Sequence, residues 1–179
     1  MKAAYADPPY LGCGLKHYGD HAQAAEYDDP RAHERLIVRL CDEFDSWALS
    51  LHEPSLRLIL PMCPKSVRVA PWVKPFASFK ANVTRAYTWE PVIFKFDETR
   101  PRTRTQTTWR DHISEPITLK RGFTGAKPEA FCFWLFEGLN LLPTDEFVDL
   151  FPGSGAVTAA WQKWAAQSDI EQFTLAVSV

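Results

Sequence analysis

Two short stretches of this chain combine residue types and spacing suited to chemistry. Asp7-Pro8-Pro9-Tyr10 sets a carboxylate, two prolines of restricted φ and a phenol ring in a row. A carboxylate accepts hydrogen bonds from an amino group, rigid prolines aim the neighbouring carbonyls, and a tyrosine ring stacks on a flat base. The second stretch, Phe151-Pro152-Gly153-Ser154-Gly155, follows Asp149 and reads as a tight glycine turn ahead of a helix. Its glycines let backbone come close to a ligand, and the helix start offers free N–H groups to an anionic one. Taken singly, each has a plain alternative: an aspartate capping a Pro-Pro turn beside a packed tyrosine, and a bend that fits a strand against a helix.

The surrounding pattern says what would hold these stretches. Lys2 to Ala6 is a short apolar run stopped by Asp7-Pro8, which predicts a buried strand ending in a rigid turn. Asp28-Asp29-Pro30 opens a helix whose Ala32, Leu36, Ile37, Leu40, Cys41 and Phe44 share one face. Strands are expected at 47–51 and 67–73 with a short helix over 54–60 between them, so the chain alternates strand and helix as a largely parallel α/β sheet does. A strand over 85–96 follows with little helix before it and is expected to pair antiparallel. A helix from Lys127-Pro128 to about Leu141, a strand over 146–151, a helix over 156–166 and a last strand over 173–179 complete the reading. In such a sheet ligands bind at the carboxyl ends of the strands, and both special turns fall on that edge.

The whole chain bounds the function. Its 179 residues, 46% hydrophobic and 23% charged, suffice for one core, and a net charge of -2 makes any nucleic-acid surface a local patch. No apolar run approaches membrane length and the N-terminus lacks a secretion signal, so a soluble, cytoplasmic protein is expected. Cys13, Cys41, Cys63 and Cys132 form no C-x-x-C pair and the five histidines no H-E-x-x-H, so no metal site is expected. Residues 97–125 depart in composition. They hold Arg100, Arg102, Arg104 and Arg110 with threonines at 99, 103, 105, 107 and 108 and Trp109, and no acid from Thr99 to Arg110. Arginines interleaved with hydroxyls suit phosphates, and the segment is expected as a basic DNA-contacting insert near the catalytic edge, with a solvated loop as the alternative. Lys74, Lys80 and Arg85 are candidates to extend that surface.

In this order the motifs resemble the amino-group DNA methyltransferases that use S-adenosylmethionine, in the circularly permuted arrangement where the catalytic motif precedes the cofactor motif. Asp7-Pro8-Pro9-Tyr10 resembles their D-P-P-Y, and Asp149-Leu150-Phe151-Pro152-Gly153-Ser154-Gly155 their D-x-F-x-G-S-G turn. Lys127-Pro128 is similar to the K-P they carry ahead of that turn, and Trp89 to Phe94 to their penultimate strand. The resemblance spans Met1 to about Trp161. It implies a single Rossmann-like methyltransferase domain over 1–179, α/β with a mixed sheet containing one antiparallel strand. Asp7, Pro8, Pro9 and Tyr10 would take the target base. Lys127, Pro128, Asp149, Phe151, Gly153, Ser154 and Gly155 would lie around the cofactor. Asp at the first motif position leans toward adenine N6 over cytosine N4. A C5-cytosine enzyme would need a Pro-Cys nucleophile, and the sequence has none.

The resemblance has departures. Family members continue past the glycine turn through a strand ending in an acid that binds the cofactor ribose, whereas here the last expected strand has none, which implies an open or weak pocket or one shared with a second subunit. The recognition region is reduced to roughly 97–125, which implies low specificity or a separate specificity partner. The competing readings are a module of the same fold that has lost turnover and binds nucleic acid or protein, and the same chemistry on cytosine N4 or RNA.

Overall fold

The computed structural model describes residues 1–14, 25–75, 83–100, 108–118 and 126–177, with residues 167–177 as backbone only. Six strands form one sheet. They are β1 (Lys2–Ala6), β2 (Ser46–Ser50), β3 (Arg68–Val73), β4 (Trp89–Lys95), β5 (Ile113–Ser114) and β6 (Glu146–Asp149). Their order across the sheet is β5-β3-β4-β2-β1-β6. Only β4 runs backward, antiparallel to both β2 and β3, while β1 pairs parallel with β2 and β6, and β5 parallel with β3. The helices are α1 (Pro30–Glu43), α2 (Glu53–Ile59), α3 (Glu129–Gly138) and α4 (Ala156–Val177).

Side chains of successive strand residues point to opposite faces, and here both faces are covered. Ala3, Tyr5, Ala48, Val92 and Phe94 pack with Phe131, Trp134 and Leu135 of α3 and with Val157 and Ala160 of α4. Ala4, Ala6, Trp47, Leu49 and Ile93 face the other way, onto Leu36, Ile37 and Leu40 of α1 and Ile59 of α2. The short side chains of β1 let helices close on it from both sides. Helix α1 starts where its sequence predicts: Pro30 holds the first position and the Asp29 carboxylate accepts the Arg31 N–H at 3.0 Å.

Most expected elements form within a few residues of their expected bounds; two do not, and one strand forms where none is expected. The strand expected from 85 begins only at Trp89, because residues 83–88 are exposed loop. The insert contains a short strand, β5. The strand expected over 173–179 is corrected: the chain stays helical from Ala156 to Val177, so the β-branched and aromatic residues near the end yield to continuation of α4. Among the described residues no helix is long and apolar enough to cross a membrane, and no group of three or more metal-ligating side chains is placed to hold an ion.

The amino-terminal edge of the sheet is pinned by Asp145. Its carboxylate, with the side chain only 4% exposed, accepts from the Met1 ammonium at 3.0 Å, from Arg100 at 2.6 Å and from the Leu142 N–H at 2.6 Å. Burial pushes this carboxyl upward, but the Leu142 N–H, the N-terminal ammonium and Arg100 outweigh it and hold it below the usual carboxylate range. A carboxyl lowered in the folded state stabilises above its unfolded value, and that contribution fades as pH falls through the lowered one. Asp145→Asn is therefore expected to cost about 1–3 kcal/mol at neutral pH. The gap to wild type in urea midpoints should narrow below about pH 4, where unfolded carboxylates protonate. An equal gap at every pH would contradict this account.

Candidate active site

Strands β1 and β6 end together. Tyr5 lies opposite Asp149 in register, and the Leu150 N–H donates to the Tyr5 carbonyl at 2.9 Å. The two chemistry-bearing stretches, far apart in sequence, therefore leave the sheet side by side at its carboxyl edge. β4 runs in the opposite sense, so its beginning reaches the same edge and brings Glu90 there, opposite Trp72 in register.

What assembles is a compact charge cluster. Asp7 Oδ2 lies 3.1 Å from the Lys127 ammonium, which is also 3.4 Å from Glu90 Oε2 and 3.4 Å from the Tyr10 hydroxyl. That hydroxyl is 3.2 Å from Asp7 Oδ1 and 3.0 Å from Glu90 Oε2. Lys74, one residue past β3, pairs with the other Glu90 oxygen. The Lys127 side chain is only 5% exposed, and its ammonium sits 5.1 Å from the Trp72 ring centre and 5.6 Å from that of Phe131. Tyr10 stacks parallel to His52, ring centres 5.4 Å apart, and His52 Nδ1 is 2.6 Å from the Ser55 hydroxyl.

The charges are not held equally. Burial raises the Asp7 carboxyl above its ordinary value, and Lys127 offsets this only in part because Glu90 repels. Burial also raises Glu90, but Lys127 and Lys74 together outweigh it and hold it low. Desolvation lowers Lys127, yet Asp7 and Glu90 keep it charged. Glu90 has two cations and Asp7 shares one, so Asp7 is the more easily protonated acid. Beneath them burial pushes the Cys132 thiol up to about 12, which leaves it neutral and no nucleophile.

Beyond β6, Gly153 and Gly155 adopt φ of +45° and +73°, the left-handed region that side chains disfavour, and a Cβ on Gly155 would meet nothing within 4 Å. The turn is closed by the Gly155 N–H donating to Pro152 at 2.6 Å. Residues 152–154 are exposed, so the bend presents open backbone beside the end of β1. Asp149 is braced by the Phe151 N–H at 3.3 Å and the Thr158 hydroxyl at 3.4 Å, and burial, then the Asp7 charge, raise its carboxyl. Phe151 packs edge-on against Tyr27 and faces the α1 side of the core. Pro128 stands at the N-cap position of α3 in extended backbone, directly after Lys127.

Two of the insert's expected DNA contacts, Arg100 and Trp109, are corrected, since both lie away from this edge. Arg100 is tied to Asp145 at the amino edge, and Trp109 is wedged between Phe94, Phe96 and Trp134, its indole N–H donating to the Trp134 carbonyl at 3.0 Å. An aromatic side chain with apolar partners on several sides is worth more as core than as an exposed stacking surface. Arg110 is exposed at the start of the run into β5. Arg102, Arg104 and Lys80 lie outside the described residues. The run β5 then carries the chain to the carboxyl edge, where residues 115–118 lie before Lys127. Sequence reading missed Glu90 and His52. An ionisable residue at the head of an otherwise apolar strand is the signal that marks Glu90.

The sheet order, its single reversed strand and its two helical layers define the class of fold. Among solved structures the chain is similar to the crystal structure of the M1.HpyAVI-SAM complex, at 14% identity and a TM-score of 0.61, over 92% of this chain and 78% of that one. It is likewise similar to the crystal structure of M1.HpyAVI, at 15% identity and a TM-score of 0.58, over 92% and 77%. Compared by sequence, it matches no family model and no curated protein. The fold of M1.HpyAVI is thus the fold of this chain.

Proposed function

We propose that this chain is an S-adenosylmethionine-dependent methyltransferase acting on an exocyclic amino group of DNA, with adenine N6 as the target. The observation that carries the reading is the junction of β1 and β6, which sets the Asp7 acceptor beside the open glycine bend. The fold neighbour M1.HpyAVI has been crystallised with SAM, which supports the same cofactor here. The acidic stretch preceding the glycine stretch along the chain supports the permuted order.

When bound, the cofactor supplies an electrophilic sulfonium methyl. Gly153, Ser154 and Gly155 would hold it with Asp149, and Phe151 would shape the pocket wall. The chain's own task is positioning. Asp7 and the Pro8 carbonyl accept hydrogen bonds from the target amine and turn its lone pair toward the methyl; Pro9 keeps the segment rigid, and Tyr10, backed by His52, offers a face to the extruded base. The new N–C bond replaces the C–S bond, and the amine loses one proton to solvent. Incubation of the protein with labelled cofactor and double-stranded DNA, single-stranded DNA or RNA, followed by nucleoside analysis, tests the reading. N6-methyladenine in double-stranded DNA is expected. N4-methylcytosine would move the target base, label in RNA the substrate, and absence of both label and cofactor-binding heat would favour a binding module without turnover.

DNA would approach the carboxyl edge over residues 83–88 and 115–118, where Arg85, Tyr87 and Ile117 are exposed. Arg85→Ala is expected to weaken DNA binding about equally across sequences and to lower the slope of log affinity against log salt by about one. Arg100→Ala should leave that slope unchanged, since its charge is spent on Asp145. A salt titration of both variants checks this, and the reverse pattern would place DNA on the other edge.

A further inference from the structure

We infer that Lys127 and Glu90 are positioning residues that set the ionisation of Asp7, Lys127 keeping its carboxylate charged and Glu90 opposing it. This rests on the methyltransferase reading above and deepens it, because an ionised Asp7 presents only acceptors to a target amine, whereas protonation turns one of its oxygens into a donor. The resemblance places Lys127 at the cofactor, but the structure points its ammonium at the acceptor: 3.1 Å from Asp7, 3.4 Å from Glu90 and 3.4 Å from the Tyr10 hydroxyl. The same ammonium lies over the Trp72 and Phe131 rings, and the side chain is buried, which leaves it little freedom to turn elsewhere.

The groups facing Asp7 can be followed element by element. From its own turn comes Tyr10, a neutral donor at 3.2 Å. β1 contributes Tyr5, whose hydroxyl is engaged by Ser50 at 2.7 Å and stays protonated in its buried site. Asp149 at the end of β6 adds a second acid. α3 adds the neutral Cys132, and His52, which burial keeps largely neutral, lies behind Tyr10. Lys74 spends its charge on Glu90. Lys127 is therefore the one cation in direct contact with Asp7 among the described residues, and Glu90 is the acid that competes for it.

Opposite shifts follow. Lys127→Met removes the charge that holds Asp7 ionised, so the rise of methyl transfer with pH should move upward by about one unit or more. The loss of transfer should therefore be larger toward the acid end of the range than at pH 9. Glu90→Gln keeps the size and an acceptor for Tyr10 but removes the repelling charge, so its rise should move toward acid. A residue that only supports the fold would lower the rate equally at all pH values.

The test measures transfer to double-stranded DNA from pH 5 to 10 at saturating cofactor for wild type and both variants, with cofactor affinity by calorimetry and the Asp7 carboxyl followed by carbon NMR in each. Shifts of opposite sign with unchanged cofactor affinity support the inference. Weakened cofactor binding in Lys127→Met with an unmoved profile would overturn it and return Lys127 to the cofactor. If Lys127→Met does not fold, Glu90→Gln and the wild-type Asp7 titration still decide. A wild type without transfer would instead count against the methyltransferase reading, while the NMR titrations would still judge the coupling.

Discussion

Asp7→Ala is expected to abolish methyl transfer, with a loss of about a thousandfold, the scale of removing a preorganised polar contact to the reacting group. Among the described residues nothing else at the carboxyl edge replaces it. Tyr10 is a neutral donor, Glu90 is engaged by two lysines, and Asp149 at the end of β6 is braced by Phe151 and Thr158. The fold should survive, because Lys127 keeps Glu90 as a partner and no buried ammonium is stranded. Cofactor affinity should change little, since the glycine bend is built from β6 and α4. Three measurements on one preparation check this: circular dichroism, calorimetry with S-adenosylmethionine, and label transfer to DNA. Undiminished methylation would remove Asp7 from its assigned role, and concurrent loss of helical signal would show the site to be part of the fold's support.

Phe131→Ala should be strongly destabilising. Its ring is fully buried and lies 4.9 Å from that of Trp72, 5.6 Å from Trp134 and 6.2 Å from Tyr5, so it joins α3 to β3 and β1. Truncating a buried phenylalanine costs about 3–5 kcal/mol, lost burial plus the cavity left behind. That is a large part of the 5–15 kcal/mol or so that holds a typical domain together. The same ring lies under the Lys127 ammonium, so the variant should also loosen the charge cluster above it. Urea denaturation measures the loss, and a cost under about 1 kcal/mol would mean that α3 does not depend on this contact.

Much of the architecture follows from local pattern. Apolar runs of five residues stopped by proline or glycine terminate as strands, and Asp29-Pro30 begins α1 as such pairs do. The reversed sense of β4 was legible because the sequence between β3 and β4 shows no helical pattern able to carry the chain back across the sheet. Local pattern failed where long-range packing decides. The C-terminal residues have strand-forming side chains, yet they extend α4, since propensity is a weak preference beside continuation of an established helix. The arginine-rich insert reads as one surface, but its start is consumed at the amino edge by Asp145 and by the aromatic cluster around Trp109.

By itself the sequence determined which residues are fit for chemistry, because the type and rigidity of Asp7-Pro8-Pro9-Tyr10 and the glycines at 153 and 155 are local properties of the chain. Only the tertiary structure decided which charges surround Asp7. Strand order and direction bring Glu90 from a reversed strand, Lys74 from the end of β3 and Lys127 from ahead of α3 to within a few ångströms of one another. Charge–charge energies in a buried site depend on those distances and on the exclusion of water, and neither is written in the order of residues along the chain.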